Sequence, residues 1–255
     1  MTKLDLYYHP YSICSLQVLY TLAIAAAYTD AGKGVPEIEQ HFVDIFKDDQ
    51  LEETFLTRIN PKGQVPVLTS TELPSPIADS LLITKYLMDR WPCLSPPEHA
   101  AMIENLLDEI HTLNYFALSF PDRPQIADKL VSTVEERLAR SNLSLKYGEA
   151  LAYKLSVTIE EKFNGIKPEN TEINEGKAKR LFAKLESLLH ESPWLLGLKQ
   201  PTALDAHAVI LIARLSDVGR TAIVPKRLQM YAGAAFETPV LQSVMQGRRT
   251  MISKA

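Results

Sequence analysis

The pattern of apolar and polar positions divides the chain into two unlike parts. In the first 90 residues, short apolar runs predict strands at 4–8, 39–45 and 65–69, and helical periodicity predicts helices at 12–31, 48–58 and 80–91. A strand, a long helix and a second strand in this order predict a parallel pair joined by a right-handed crossover. From residue 98 onward the periodicity is helical, with the main helices predicted at 98–118, 125–163, 175–190 and 203–217.

Proline and glycine mark the expected boundaries. Residues 91–97 contain three prolines and predict a linker between an α/β domain at 1–90 and an all-helical domain at 98–255. The polar stretch 164–176, broken by Gly165 and Pro168, is predicted to be an inserted loop. The run Thr202-Ala203-Leu204-Asp205 has the spacing of a capping box at the start of the helix at 203–217.

Composition narrows the class of protein. Apolar residues make up 46% and charged residues 23% of the chain, which is typical of a globular protein. A net charge of -4 and the lack of an apolar run of about 18 residues argue against nucleic acid and membrane as partners. The first residues lack the apolar core of a signal peptide, and Cys14 and Cys93 are widely separated, so reduced thiols and a cytoplasmic location are expected. The histidines are scattered, and no metal site is expected.

The run Asn60-Pro61-Lys62-Gly63-Gln64-Val65-Pro66 places a proline at the start of an apolar strand. Because proline cannot donate to a sheet ladder, Pro66 is a candidate cis-proline that would turn the main chain of Val65 outward. A main chain presented in this way can pair with an extended peptide. Asp79-Ser80 then opens a helix whose N-terminus favours a carboxylate. Together these features predict a site for a small peptide with charged ends.

These two motifs, together with Trp194-Leu195-Leu196-Gly197 and the capping box, resemble the cytosolic glutathione transferases along nearly the whole chain. The resemblance implies an α/β thioredoxin-like N-terminal domain that binds glutathione, an all-α C-terminal domain that holds a small hydrophobic electrophile or polyene, and a homodimer.

The resemblance also assigns roles around the tripeptide. The main chain of Val65, before Pro66, would pair with the cysteinyl unit of glutathione, while Gln64, Asp79 and Ser80 would hold the γ-glutamyl unit. Asp79 would face the ammonium group, and Ser80 with its helix N-terminus would face the carboxylate. For the glycyl carboxylate, Lys47 or Lys62 could supply the cation, and either could equally be a surface lysine.

The group that stabilises the thiolate is expected where the first strand gives way to the first helix. The run Ser12-Ile13-Cys14-Ser15 resembles the Ser-x-Cys-Ser pattern of the zeta-like class, with fungal-type members among its relatives, and nominates Ser12. Cys14 is the rival, because a thiol there could form mixed disulfides as in omega-like members; otherwise it is a small buried helix residue. Tyr11 is a further donor candidate, with Tyr7 and Tyr8 behind it.

The sequence gives weaker evidence for the residues that bind the second substrate. His111, Asn114 and Tyr115 fall within the predicted helix at 98–118, where His111 and Tyr115 would share one face at i, i+4. That face lines the cleft beside Ser12, or it belongs to the core or to a dimer interface.

Three functions follow from the resemblance. The first is a glutathione transferase that delivers the thiolate to a soft electrophilic carbon. The second is a glutathione-dependent cis-trans isomerase of a conjugated alkene, either maleylacetoacetate-like or a tailoring enzyme of secondary metabolism. The third is a non-catalytic binding or assembly module of the same fold.

Overall fold

A computed structural model describes residues 3–29 and 37–252. Its sheet has three strands, β1 (Leu4–Tyr8), β2 (Ile38–Phe42) and β3 (Val67–Thr69), in the order β2-β1-β3. β1 pairs in parallel with β2 and antiparallel with β3, so the predicted parallel pair is confirmed. β2 and β3 are shorter than predicted, and β3 begins only after Pro66, which has no N–H to donate.

Two helices accompany the sheet, α1 (Ile13–Tyr28) and α2 (Ser80–Met88). The predicted end of the first helix at residues 30–31 lies outside the described residues. The single helix predicted at 48–58 is wrong: a 3₁₀ turn at Asp49–Leu51 and a π-helical turn at Phe55–Ile59 replace it. The extended backbone of Glu52, with φ -66° and ψ 146°, separates the two turns.

The second part of the chain is helical. Its α-helices are α3 (Ala100–His111), α4 (Tyr115–Ser119), α5 (Pro124–Leu138), α6 (Leu145–Thr158), α7 (Pro168–Ser187), α8 (Ala203–Asp217), α9 (Lys226–Phe236) and α10 (Pro239–Met245). A π-helical turn at Ile159–Asn164 continues α6, and α8 coincides with its predicted range. Within the described ranges, no helix is both long and apolar enough to cross a membrane.

Two predicted long helices are each divided by a new N-cap. The helix predicted at 98–118 ends at His111, and the Asn114 side chain then accepts a hydrogen bond from Ala117 N at the start of α4. The helix predicted at 125–163 ends at Leu138, and Ser144 caps α6 through Tyr147 N. Asparagine and serine compete with helix continuation by capping a new helix, and apolar periodicity alone does not reveal such a break.

The loop predicted at 164–176 is also wrong. α7 begins at Pro168 and runs for 20 residues, with Asn174 and Ala178 on its buried side. Proline is tolerated in the first turn of a helix, because its missing N–H has no intrahelical partner there. Pro168 therefore starts a helix and does not interrupt one.

A continuous core joins the two parts of the chain. α1 packs against α8 and α10, so the helix that follows the first strand is surrounded by the helical part. The core includes residues of the sheet, of α1 and α2, and of four later helices: Leu6, Leu16, Ile83, Leu107, Phe182, Val209 and Leu228. This packing fixes the start of α1 relative to the helices that follow α2.

The predicted capping box is confirmed at the start of α8, and it has partners beyond its own helix. Thr202 donates to Asp205 Oδ2 from its backbone N at 2.7 Å and from its hydroxyl at 2.8 Å. Leu195 N and the Tyr231 hydroxyl donate to Asp205 Oδ1 at 3.0 and 2.6 Å. Asp205 is fully buried. This one carboxylate therefore ties α8 to α9 and to the loop before α8.

We expect Asp205→Asn to destabilise the protein by about 3 kcal/mol, because the amide turns an N–H group toward buried donors. Tyr231→Phe removes only one of the four hydrogen bonds and should cost about 1 kcal/mol. Urea unfolding measures both changes, with Asp128→Asn on the exposed surface of α5 as the matched control. An Asp205→Asn protein as stable as the control would show that the box does not anchor α8.

Candidate functional site

Three segments meet where the sheet ends: the turn before α1, the segment before β3 and the start of α2. The Val65–Pro66 peptide bond is cis, which confirms that prediction. The Ser12 hydroxyl donates to Val65 O at 3.4 Å and accepts from Ser15 N at 3.3 Å. Both contacts are long for hydrogen bonds of a hydroxyl. Ser12 is thus placed beside the main chain of Val65 with a weakly engaged proton.

Ser12 is also the N-cap of α1, which gives the position a positive electrostatic potential. The first N–H groups of an α-helix have no partner within the helix, and here those of Ile13 and Cys14 point out of its N-terminus. The helix dipole adds to their partial charges. An anionic sulfur near Ser12 would therefore meet one hydroxyl and two backbone donors.

Cys14 is the second residue of α1 and lies in the helical turn that Ser12 caps. Burial raises the pKa of its thiol, while the Ser80 hydroxyl, which makes a hydrogen bond with it, and the charge of Lys162 lower the pKa by less. The raised pKa keeps Cys14 protonated near neutral pH, and a thiol is a poorer nucleophile than a thiolate. The structure thus brings Cys14 and Ser80 together, at the facing N-termini of α1 and α2.

Asp79 and Ser80 occupy the start of α2, as the motif requires. Asp79 is the N-cap, and its Oδ1 accepts from Leu81 N at 2.8 Å and from Leu82 N at 3.1 Å. Ser80 is buried. One oxygen of the Asp79 carboxylate is therefore engaged by its own helix, which reduces what it can offer to a ligand.

Residues of the helical part hold the loop that carries Gln64. Lys154, which is buried, donates from Nζ to Lys62 O at 2.8 Å and to Gly63 O at 3.2 Å. Burial lowers the pKa of Lys154 to about 8; the charge of Lys162 lowers it further and that of Glu161 opposes this. Gln64 Nε2 donates to Glu161 Oε2 at 2.6 Å.

The two lysines proposed for the glycyl carboxylate lie at different places. Lys47 has a side chain that is 80% exposed, with Nζ 3.3 Å from Asp44 Oδ2. Lys62 is partly buried in the loop before Gln64. The sequence reasoning missed Lys162, which lies 5.2 Å from the centre of the Phe116 ring and whose charge acts on Cys14. No local motif marks Lys162, because only the folded chain brings it to the site.

Asn114 and Tyr115 also contact the site. Tyr115 begins α4, so the expectation that it shares one helix with His111 is wrong, although their rings meet edge to face at 5.9 Å. Gln17 Nε2 of α1 donates to the Tyr115 hydroxyl at 3.2 Å. The Asn114 side chain donates to Glu161 O at 2.8 Å. Tyr115 therefore links α4 to α1, the helix that Ser12 caps, whereas Asn114 joins α4 to the turn that follows α6.

Half-buried His111 and fully buried His207 form a histidine pair that the sequence did not reveal. His111 Nε2 lies 2.9 Å from His207 Nδ1, and His207 Nε2 lies 2.9 Å from the Thr84 hydroxyl. Burial lowers the pKa of His111 to about 4, with opposing effects from Asp79 and Asp108, and it lowers that of His207 further, aided by His111. Both rings are thus neutral near pH 7, and they connect α2, α3 and α8.

An aromatic cluster surrounds the turn that precedes Ser12 in the chain. His9 packs against Phe46 at 4.8 Å and against Phe42 at 5.5 Å, and the Tyr11 ring lies 6.3 Å from that of Phe46. Phe42 and Phe46 remain 56% and 61% exposed. Arg214, which is buried, donates to Tyr11 O at 2.7 Å and fixes the turn. The partly exposed rings of Phe42 and Phe46 therefore form an apolar surface next to this turn.

Two other features lie apart from these residues. Asp5, Glu39 and His41 have ligand atoms within 4.8 Å of one another, but His41 Nε2 is 2.7 Å from Asp5 Oδ1 and Lys3 pairs with Glu39, so a hydrogen bond and an ion pair account for them. A surface cavity of about 400 Å³ lies between the Phe55–Ile59 turn, Ala78 and α6. Its lining does not include Ser12, Val65 or Ser80.

Solved structures with the same architecture are known. The β-etherase LigF from Sphingobium sp. strain SYK-6 matches with 21% identity and a TM-score of 0.68, over 95% of this chain and 98% of that one. A glutathione transferase from Burkholderia graminis, with two glutathione molecules bound per subunit, matches with 18% identity and a TM-score of 0.63, over 96% and 88%. Glutathione transferase F2 from Populus trichocarpa matches with 17% identity and a TM-score of 0.61, over 96% and 98%.

These likenesses define the fold. The chain has the glutathione transferase fold, a thioredoxin-like α/β part followed by an all-helical part, as the sequence predicted. No protein-family model and no curated protein sequence matches this chain.

The buried histidine pair predicts a dependence of stability on pH. The unfolded chain binds protons near pH 6.5 but the folded His111 only near pH 4, so stability is present above pH 6.5 and is lost as the pH falls from 6.5 toward 4. Each such histidine contributes at most about 1.4 kcal/mol per pH unit. Urea unfolding at several pH values should give a shallower slope for His111→Gln than for wild type.

His190→Gln is the matched control, because His190 is exposed and the substitution keeps the buried pair. Equal slopes for His111→Gln and for wild type between pH 4 and 6.5 would contradict a role of the pair in the pH dependence.

Proposed function

We propose that the protein is a glutathione-dependent transferase whose Ser12 stabilises the glutathione thiolate for attack on a soft electrophilic carbon. The observation that carries this proposal is the contact of the Ser12 hydroxyl with Val65 O, 3.4 Å apart. It places an N-capping donor beside the main chain that the motif offers to the cysteinyl unit. Bound glutathione in several solved proteins of this fold supports the choice of thiol.

Different residues bind glutathione and activate its thiol. The main chain of Val65 pairs with the cysteinyl unit, and Ser80 with the N-terminus of α2 receives the γ-glutamyl carboxylate. Ser12 exchanges its long contact with Val65 O for one with the sulfur. Its proton and the N–H groups at the start of α1 then favour the thiolate over the thiol.

The reaction itself forms one sulfur–carbon bond. The thiolate attacks the electrophilic carbon of a small hydrophobic substrate, and the electron pair passes either to a leaving group or to a carbon that takes a proton from water. The aromatic surface of Tyr11, Phe42 and Phe46 is the apolar wall available beside Ser12. In this proposal Tyr115 and His111, whose rings lie 5.9 Å apart, supply the second half of the cleft from the helical part.

An isomerase is the second proposed function, and the Ser12-Ile13-Cys14-Ser15 motif at the start of α1 favours it. In that reaction the thiolate adds to a conjugated alkene, the former double bond rotates, and elimination restores both the alkene and the thiol. The overall composition of the substrate is unchanged. Natural-product tailoring would suit such a reaction.

A homodimer completes the proposal. Leu82 on α2 and Met102 on α3 are 56% and 46% exposed, and these two helices pack against each other. Two exposed apolar side chains on adjacent helices suit a contact between copies of the chain. A non-catalytic module of this fold remains the alternative if glutathione is bound but no substrate is converted.

The first test of the proposed function is binding followed by product analysis. We expect glutathione to bind measurably at millimolar concentration in calorimetry, because the tripeptide motifs are assembled. Incubation with a panel of aromatic and polyene electrophiles, read by mass spectrometry, then separates the reactions. A gain of the glutathione mass indicates a transferase, and an unchanged mass with altered alkene geometry indicates an isomerase. Absence of binding at millimolar glutathione would refute both.

Paired substitutions identify the group that acts on the sulfur. Ser12→Ala should lower turnover about a hundredfold, as for loss of one oxyanion donor, while Cys14→Ser should keep most of it. Ser12→Ala also removes a helix cap worth about 1 kcal/mol, so thermal unfolding must show that the variant is folded at the assay temperature. The reverse order of activities would assign the chemistry to Cys14.

A further inference from the structure

Glu161 brings a carboxylate from the helical part to the glutathione motif. It lies in the π-helical turn after α6, with a side chain that is 39% exposed, and its Oε2 accepts from Gln64 Nε2 at 2.6 Å. Among the described residues, Glu161 Oε1 accepts no hydrogen bond, and Gln64 Oε1 likewise has no partner. The pair therefore leaves one carboxylate oxygen and one amide oxygen for a cationic ligand group.

The position of Glu161 is fixed by its neighbours. The Asn114 side chain donates to Glu161 O at 2.8 Å, and this close approach depends on Gly165. A Cβ atom at Gly165 would lie 2.3 Å from Asn114 Nδ2 and 2.3 Å from Glu161 O, which real side chains do not allow. The glycine at position 165 thus allows Glu161 O to accept the hydrogen bond from Asn114. This bond holds the backbone of Glu161 where its carboxylate accepts from Gln64.

The charge of Glu161 is only partly balanced within the protein. Lys162 Nζ lies 3.9 Å from its Oε2, which is too far for a hydrogen bond. Asp79, the other acid at the motif, commits Oδ1 to Leu81 N and Leu82 N as a helix cap. Among the described residues Glu161 accepts one hydrogen bond where Asp79 accepts two, so more of its negative charge is available to an ammonium group at this end of the site.

We propose that Glu161 receives the γ-glutamyl ammonium group of glutathione, with Gln64 beside it. This inference rests on the proposed function, since it assigns a residue to the same tripeptide site. The γ-glutamyl carboxylate then takes the N-terminus of α2, and the ammonium takes Glu161. Under this assignment the helical part supplies a charge for tripeptide recognition in addition to the wall of the second substrate.

A pair of ligands and a pair of variants test the assignment. Glu161→Gln removes the charge but keeps an oxygen that can accept from Gln64 Nε2. Calorimetry compares glutathione with its deaminated analogue, in which hydrogen replaces the γ-glutamyl amino group. We expect Glu161→Gln to weaken glutathione binding about tenfold, as for a partly exposed ion pair, and to leave the affinity for the analogue unchanged.

Glu160→Gln is the control, because this neighbouring glutamate is exposed and, within the part of the chain that the structure describes, its carboxylate bonds only to Asn164 in the same turn. It should bind both ligands as wild type does, and thermal unfolding checks that all variants are folded. Equal weakening of both ligands by Glu161→Gln would show that Glu161 only positions Gln64, and no weakening would show that it has no role; either result overturns the assignment. Wild-type protein that fails to bind glutathione overturns the proposed function as well.

Discussion

The site depends on holding the main chain at Val65 fixed from two sides. From the sheet side, Ser12 reaches Val65 O from the cap of α1. From the helical side, Lys154 binds the carbonyl oxygens of Lys62 and Gly63, and Glu161 binds the side chain of Gln64. A backbone that must pair with a peptide ligand gains affinity when it is already ordered before binding. Packing of α1 against α8 fixes the sheet side of the site relative to the helical side.

Electrostatics acts differently on the Cys14 thiol and on the thiol of bound glutathione. Burial raises the pKa of Cys14 and keeps it protonated, although Ser80 and Lys162 oppose that effect. A glutathione sulfur next to Ser12 would instead have a hydroxyl donor and the exposed N–H groups of a helix start. The N-terminus of α1 therefore favours the thiolate form of bound glutathione, while burial keeps the Cys14 thiol protonated. This difference is the physical basis for choosing Ser12 over Cys14.

The sequence was most informative where the determinants are local. The strand at Leu4–Tyr8, the helix at Ala203–Asp217 and the capping box at Thr202 follow from patterns of a few residues, and the structure confirms them. The cis bond before Pro66 follows equally from a proline at the start of a strand. Helix breaks at Asn114 and at Ser144 were missed, because a capping side chain competes with continuation without interrupting the apolar period.

The rest of the site could not be predicted, because it arises from contacts between distant parts of the chain. Gln64 and Glu161 are separated by 97 positions, and Lys162 follows Glu161 in a turn that the sequence placed inside one long helix. Pro168 was interpreted as a loop signal although it starts α7. The buried His111–His207 pair has the same origin, with 96 positions between its members.

The most direct measurement of the central claim is a crystal structure of the protein with glutathione. The account predicts that the cysteinyl unit pairs with the main chain of Val65, that its sulfur lies within hydrogen-bond distance of the Ser12 hydroxyl, and that the γ-glutamyl carboxylate lies at Ser80. Glutathione found instead in the cavity beside Ala78 and α6, with Ser12 still on Val65 O, would contradict it.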